Sequence, residues 1–162
     1  MRDFRSIFYI LGLLLCIEAL AMTIPLIFDL LYNNPDWQQF LYSSIITFFI
    51  GLVLFLSFKK KNIKIGLRQA FVLTFVAWLL ISLFGSLPFI YSSAKLSYTD
   101  SFFESVSGIT TTGATVINNL ENLSEGILVW RSLLQWFGGI GIILLAISIL
   151  PTLQIGGMQL LH

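Results

Sequence analysis

The sequence is poor in charged residues. Only 10% of its 162 residues are Asp, Glu, Lys or Arg, and 57% are hydrophobic. Soluble domains carry about 25% charged residues. This deficit excludes an ordinary soluble domain and indicates an integral membrane protein. The net charge of +1 provides no strongly basic surface, so we expect no nucleic-acid partner.

Reactive side chains are equally scarce. Cys16 is the single cysteine, which excludes an intrachain disulfide and a metal site built from cysteines. His162 is the single histidine and the last residue, so the sequence offers neither a buried histidine base nor a histidine metal cluster. No nucleophile–base pair is visible either. We therefore expect a protein that is not an enzyme and holds no tightly bound cofactor.

Four apolar runs are long enough to cross a membrane, because a bilayer core about 30 Å thick requires about 20 helical residues. They cover residues 4–31, 40–58, 67–91 and 127–150. Glu18, Pro25 and Asp29 interrupt the first run. The predicted fold class is an all-α membrane protein, with a two-helix transmembrane hairpin at 1–62 and a second unit at 63–162.

The N-terminus resembles a secretory signal peptide, since "ALA" at 19–21 has the small residues of a cleavage site. Glu18 stands directly before that site, and the apolar pattern continues through 24–28. A retained first membrane span therefore fits the sequence better than a cleaved leader.

Basic residues predict the orientation of the chain. Seven of the nine lie before the first span or between the second and third, which are ends on the same side of the membrane: Arg2, Arg5, Lys59, Lys60, Lys61, Lys64 and Arg68. The positive-inside rule makes that side, and the N-terminus, cytoplasmic. Acidic residues gather on the opposite side, where an acidic outer mouth would concentrate cations: Asp29, Asp36, Asp100, Glu104, Glu121 and Glu125.

A short helix is predicted at 99–109, between the third and fourth spans. Ser97 or Thr99 is a suitable N-cap residue. Ser101 with Glu104 has the spacing of a capping box, which would place the start slightly later. Both alternatives leave an amphipathic helix about three turns long.

This helix is too short to cross a bilayer. Gly108 marks its expected end, and its eleven residues rise about 16 Å, roughly half a membrane. Both ends of the segment 92–126 lie outside in the predicted topology. The helix would therefore dip into the membrane and the following residues would return, forming a re-entrant loop. Non-helical backbone at that depth must be buried in protein or line an aqueous path.

The stretch "TTTGA" at 110–114 has the composition of an ion path made from backbone carbonyls. Glycine at Gly113 permits positive φ angles, and β-branched threonines are stiff and carry hydroxyl groups. Carbonyl oxygens can replace the hydration shell of a cation, and the negative end of the preceding helix dipole favours a cation there. We expect a lightly held monovalent ion.

Two longer motifs carry a family resemblance. "SFFESVSGITTTGATVI" (101–117) and "RSLLQWFGGIGIILLAISILP" (131–151) resemble the first pore loop and the following helix of Trk-type potassium uptake proteins, the TrkH and KtrB-like membrane subunits. The additional pair of spans at the N-terminus fits the TrkH subgroup. The resemblance implies a span at 67–91, a pore helix at 99–109, a filter at 110–115 and a span at 127–150.

The resemblance also implies the site residues. Backbone carbonyls of Thr110, Thr111, Thr112, Gly113 and Ala114 would face the ion, with K⁺ held at Thr111 and Thr112. K⁺ would be the transported ion rather than a resident cofactor. Members of this family have four fused repeats around one pore in the bacterial inner membrane. They form homodimers and bind a cytoplasmic nucleotide-binding subunit.

A filter needs four strands, and this chain supplies one. Either it is the N-terminal part of a longer protein with three further pore repeats, or four copies assemble; the resemblance favours the first alternative. An isolated chain would then conduct nothing. The rival interpretation is a membrane scaffold without transport, in which 110–115 is only an extracytoplasmic loop.

Three further residues have open roles. Glu18, a carboxylate inside a span, would line an ion path or make a polar contact with a neighbouring helix. Arg131 would modulate ion entry, reach the membrane surface, or pair with Glu104 or Glu125. Gly139, within "GGIG" at 138–141, would serve as a gating hinge or allow close helix packing.

Overall fold

The computed structural model describes residues 4–59 and 65–158, and all regular structure in these two ranges is helical. The helices are α1 (Arg5–Ala21), α2 (Thr23–Leu31), α3 (Trp37–Ser57), α4 (Leu67–Gly85), α5 (Leu87–Tyr91), α6 (Tyr98–Ile109) and α7 (Glu125–Met158), with a 3₁₀ turn at Leu120–Asn122. Arg2, Lys60, Lys61, Lys64, His162 and the predicted boundary at 62/63 lie outside the described residues.

Four helical segments are long and apolar enough to cross a membrane. They are Arg5–Leu31, Trp37–Ser57, Arg68–Tyr91 and Glu125–Ile147. Each overlaps one of the four runs predicted from hydropathy. The prediction of an all-α membrane protein is therefore confirmed.

The first span is divided between α1 and α2 at Met22. Pro25 has no N–H group, so the carbonyl four residues earlier, at Ala21, loses its helical partner. Beside it, the carbonyl of Leu20 accepts a hydrogen bond of 2.6 Å from the Thr23 hydroxyl. A proline near the division and this side-chain bond account for the interruption.

Close contact between α1 and α3 depends on two glycines. A Cβ at Gly12 would lie 2.5 Å from the Phe55 backbone nitrogen, and one at Gly51 would lie 2.9 Å from the Cys16 nitrogen. Small residues at such contacts let helix backbones approach closely inside membranes. The contacts of Gly12 with Phe55 and of Gly51 with Cys16 run in opposite directions along the two helices, so the pair is antiparallel.

The third span is also divided. α4 ends at Gly85 and α5 begins at Leu87, with Pro88 in its first turn. The Gly85 carbonyl accepts a hydrogen bond of 2.9 Å from Nε1 of the buried Trp130 on α7. Trp130 belongs to a core cluster together with Ala21, Met22, Phe40, Phe89, Ile109, Ile127 and Leu134.

Three loops meet at one end of the bundle: the loop between α2 and α3, the loop after α5 and the loop before α7. The Asp36 carboxylate accepts hydrogen bonds from the Ser93 N–H at 3.0 and 3.1 Å and from the Ser93 hydroxyl at 2.6 Å. Asp29 accepts from the Gly126 N–H at 2.7 Å and thereby caps α7. Residues 92–124 therefore leave and rejoin the bundle at the same end.

These contacts alter the expectation of an acidic mouth. Asp29, Asp36 and Glu104 are 0%, 5% and 1% exposed, and each accepts hydrogen bonds from the protein. Three of the six acidic residues that the sequence places on this side are thus buried and hold other parts of the chain through hydrogen bonds. The expectation of an acidic outer mouth that concentrates cations does not hold for these three, because backbone N–H groups at helix ends and turns attract their carboxylates.

Candidate functional site

The half-length helix α6 begins with a side-chain cap. The Ser97 hydroxyl accepts a hydrogen bond from the Asp100 N–H at 3.1 Å and donates to the Asp100 carboxylate at 2.8 Å. Of the predicted alternatives, Ser97 is therefore the N-cap, and α6 starts at Tyr98, one residue earlier than predicted. Glu104 forms no capping box with Ser101, because its carboxylate is directed to the loop that follows α6.

The helix ends at Ile109, the last residue of the predicted range 99–109, and Gly108 is its penultimate residue. α6 continues to Ile109, and the left-handed residue behind it is Thr111, with a φ of +58°. Gly108 instead allows close packing, since a Cβ there would lie 3.0 Å from Cβ of Leu134 on α7. The Thr110 hydroxyl donates to the Val106 carbonyl at 2.7 Å and helps to close the last turn.

The C-terminal end of α6 lies deep along α7. The Ile109 carbonyl lies directly against Gly138, where it occupies the position that a Cβ would take. Gly138 follows the start of α7 at Glu125 by thirteen residues, which is about 20 Å along the helix axis. The end of α6 therefore lies beside the interior of the fourth apolar segment, Glu125–Ile147.

The chain reverses direction in residues 110–114, which we call the threonine–glycine loop. The N–H groups of Thr112 and Gly113 both donate to the Ser107 carbonyl, at 3.0 and 3.3 Å. Gly113 has a φ of +76°, and a Cβ there would meet no atom within 4 Å. The glycine is thus required by the backbone conformation and not by lack of space.

Residues 115–119, the return segment, run back beside α6. The Glu104 carboxylate accepts from the Thr115 hydroxyl at 2.6 Å and from the Val116 N–H at 2.7 Å. One turn further along α6, the Ser107 hydroxyl donates to the Ala114 carbonyl at 2.6 Å. Since residue 114 contacts Ser107 and the later residues 115 and 116 contact the earlier Glu104, the return segment runs antiparallel to α6.

Arg131 on α7 joins the same network. Its Nε lies 3.1 Å from the second carboxylate oxygen of Glu104, and the two side chains are 15% and 0% exposed. Of the alternatives for Arg131, pairing with Glu104 is the one observed. Glu104 thus links α6, the return segment and α7 through one buried carboxylate.

Hydrogen bonding in the threonine–glycine loop is one-sided. The N–H groups of Thr110 to Gly113 all donate to carbonyls of α6. Within residues 4–59 and 65–158, no hydrogen-bond donor is paired with the carbonyl oxygens of these same four residues. The residues are exposed. The loop therefore has four successive carbonyl oxygens that no donor in the described residues occupies.

The other predicted site residues lie apart from this loop. Glu18 is on α1 and is 4% exposed, with both carboxylate oxygens unpartnered in the described part of the chain. Gly139 has open space where a Cβ would be, so the close contact expected in "GGIG" is made by Gly138.

The sequence did not indicate that Glu104 and Ser107 hold the loop. Their contacts are separated by eleven, twelve and seven residues, a spacing that belongs to no recognised motif. The only available signal was the presence of a carboxylate and a serine on an apolar half-helix, three residues apart.

These features define a class: a multi-pass α-helical membrane protein with a half-length helix and a returning polar loop packed within its bundle. A family model for TrkH, described as a cation transport protein, matches residues 36–162. The chain belongs to this family. As expected from the resemblance, the family is one of transporters and not of enzymes.

Known relatives are potassium uptake proteins. The chain is 45% identical over 157 residues to the Trk system potassium uptake protein TrkH of Halomonas elongata, and 42% identical over 158 residues to TrkH of Escherichia coli K12. These alignments cover 96% and 97% of the chain but 33% of each relative. The chain therefore spans about a third of the length of the curated relatives that it matches.

A solved structure has the same fold. The crystal structure of the potassium transporter TrkH from Vibrio parahaemolyticus matches with a TM-score of 0.88 and 40% sequence identity. The match covers 96% of this chain and 34% of that one. The sequence-based assignment to the Trk family is confirmed.

Proposed function

We propose that the threonine–glycine loop is one strand of a potassium-selective filter, and that the chain contributes this strand to a Trk-type uptake system. One observation carries the proposal: the carbonyl oxygens of four successive exposed residues, Thr110 to Gly113, are unpaired in the described residues, while their N–H groups are held by α6. The relatives named as potassium uptake proteins support K⁺ as the ion.

The chemistry of the loop suits a weakly held alkali cation. Carbonyl oxygens replace water around the ion, and the C-terminal end of α6 adds a partial negative charge. Thr111 and Thr112 are our candidates for the K⁺ positions. Ala114 is the outer member of the set, and because its carbonyl also accepts the Ser107 hydroxyl, one of its lone pairs is already used.

A complete filter requires three more strands. The chain covers a third of its relatives, which supports a longer protein in which residues 63–162 are the first of four repeats. The alternative is assembly of four copies. In either arrangement the isolated chain is inactive, and homodimerisation and a cytoplasmic nucleotide-binding partner belong to the complete system. We place the N-terminus in the cytoplasm and the loop on the outer side of a bacterial inner membrane.

Glu104 and Arg131 would act by holding the loop. The carboxylate anchors the return segment, and the guanidinium neutralises and orients the carboxylate. Gly139 stays a candidate hinge of α7, where its open surroundings would permit bending. Glu18 makes no hydrogen bond to the threonine–glycine loop within the described residues, and we consider it separately below.

The test is Gly113→Ser in the complete transporter that contains this chain. Serine at a φ of +76° costs about 1–2 kcal/mol, which corresponds to about a tenfold change in an equilibrium. We expect about a tenfold lower preference for K⁺ over Na⁺ in uptake by reconstituted vesicles. The space around Gly113 is open, so the protein should still fold.

Gly66→Ser is the matched control. Gly66 precedes α4, has an ordinary φ of −78°, and would accept a serine as a helix cap. Uptake and selectivity should be unchanged in this variant. Unchanged selectivity in Gly113→Ser would favour the rival interpretation of a scaffold with a simple connecting loop.

A further inference from the structure

Glu18 is a carboxylic acid in the interior of the first span. It is 4% exposed, and neither carboxylate oxygen has a hydrogen-bond partner among the described residues. Polar groups buried in this way are normally paired with protein atoms or with ordered water. The surroundings of Glu18 therefore have to supply a partner.

Gly85 at the end of α4 marks where that partner lies. A Cβ at Gly85 would be 3.0 Å from Oε1 of Glu18 and 2.8 Å from Oγ of Ser105 on α6. Because both distances are measured from one point, the two oxygens are at most 5.8 Å apart, the sum of the two. They do not bond each other directly, since both are without a partner. A single water molecule spans such a gap with two hydrogen bonds of ordinary length.

The Ser105 hydroxyl has the same deficit. Ser105 is 0% exposed, and its oxygen is unpartnered in the described residues. Thr47 on α3 is a third such group, also 0% exposed and unpartnered. Contacts of Gly51 with Cys16 and of Ser44 with Ala19 place Thr47 at the level of Glu18 in the antiparallel α1–α3 pair.

The groups around Glu18 indicate whether its carboxyl group is charged or neutral. Arg131 on α7 bonds Glu104, and the three atoms nearest to a Cβ at Gly85 belong to Ser105, Glu18 and Leu134, none of them a cation. An ionised carboxylate without a cation is strongly disfavoured in this interior. A neutral carboxyl group, which both donates and accepts, satisfies a water molecule and a serine hydroxyl without a net charge.

We propose that a bound water molecule bridges the protonated carboxyl group of Glu18 to the Ser105 hydroxyl beside Gly85, and that this bridge makes Glu18 a positioning residue for α6. The N-terminal hairpin would thereby support the helix that carries the threonine–glycine loop. This role in transport rests on the proposed function, whereas the water site itself does not.

Infrared spectroscopy of the complete transporter tests the site. We expect a carbonyl stretching band of a protonated carboxyl group at neutral pH that disappears in Glu18→Gln and moves to higher frequency in Ser105→Ala. A high-resolution map should contain density between the two side chains, and Gly85→Ala should displace it. A band unaffected by Glu18→Gln or by Ser105→Ala, or a map without that density, overturns the proposal.

Transport distinguishes positioning from charge. Glutamine can also bond water, so Glu18→Gln should retain K⁺ uptake, whereas Glu18→Leu should raise the KM for K⁺ by about 2- to 10-fold, the range for one lost hydrogen bond. Loss of uptake in Glu18→Gln as severe as in Glu18→Leu would refute the positioning role. If Gly113→Ser leaves selectivity intact while the infrared results hold, the filter proposal fails and the water site stands.

Discussion

Replacing Glu104 is the most informative perturbation of the candidate site, because one buried carboxylate holds three elements together. It accepts hydrogen bonds from Thr115, Val116 and Arg131 at 2.6, 2.7 and 3.1 Å. Glu104→Ala removes all three and leaves the Val116 N–H and the Arg131 guanidinium without a partner. Breaking a buried ion pair from one side costs about 3–5 kcal/mol.

Glu104→Gln separates the two functions of the carboxylate. The glutamine carbonyl can still accept from Thr115 and Val116, but the charge opposite Arg131 is lost. Arg131 is 15% exposed, so water can replace part of that interaction, and we expect a cost of about 1–3 kcal/mol, typical of one charged hydrogen bond. The two variants should therefore form a graded series.

The assay combines stability with selectivity. Thermal unfolding of the complete transporter should show the larger loss for Glu104→Ala, and the preference for K⁺ over Na⁺ should fall in the same order as the return segment is released. Glu121→Ala is the control, since Glu121 is an exposed carboxylate on the 3₁₀ turn just beyond the return segment. A stability loss in Glu104→Ala with wild-type selectivity would show that the network does not position the loop.

Two further predictions concern the ends of α6 and of its loop. Gly138→Ala pushes a methyl group into the Ile109 carbonyl and should lower the free energy of unfolding by about 1–3 kcal/mol, measured by thermal unfolding. Gly141→Ala is the control and should have little effect, because a Cβ there would lie 3.8 Å from its nearest neighbour. Equal losses in the two variants would contradict the contact between Gly138 and Ile109. Ser107→Ala removes the hydrogen bond to the Ala114 carbonyl and should lower the free energy of unfolding by about 1 kcal/mol. It should also alter the preference for K⁺ over Na⁺ in uptake. An unchanged preference would show that Ser107 does not belong to the site.

Hydropathy predicted the four spans because a bilayer imposes one requirement, a long apolar helix, on each of them. The start of α6 was also predictable, since Ser97 and Asp100 are a local capping signal. The end of α6 at Ile109 is also the predicted one, but the packing role of Gly108 was not predictable. Gly108 has the residue type of a helix terminator, but its small size is used against Leu134 on α7, a contact that no local pattern reveals.

The acidic residues illustrate the same difference. Sequence position placed Asp29 and Glu104 on one side of the membrane, yet it could not tell an exposed carboxylate from a buried anchor. Each anchor bonds backbone N–H groups far away in sequence, with Asp29 capping α7 at Gly126 and Glu104 holding Val116. Their roles depend on how the helices pack, and packing decides which N–H groups lack a partner.

The one-sided hydrogen bonding of the threonine–glycine loop has a consequence for charge selection. Every N–H from Thr110 to Gly113 donates to a carbonyl of α6, so the backbone groups of these residues that stay unpaired in the described part of the chain are carbonyl oxygens, which carry negative partial charge. Under the proposed function, a strand built this way would favour cations, because its backbone offers an approaching ion carbonyl oxygens and no free N–H group. Discrimination between K⁺ and Na⁺ is different, since it depends on the number and spacing of the oxygens around the ion. That second property arises only when four such strands surround one axis, so selectivity among cations should be lost together with assembly while the structure of each strand survives.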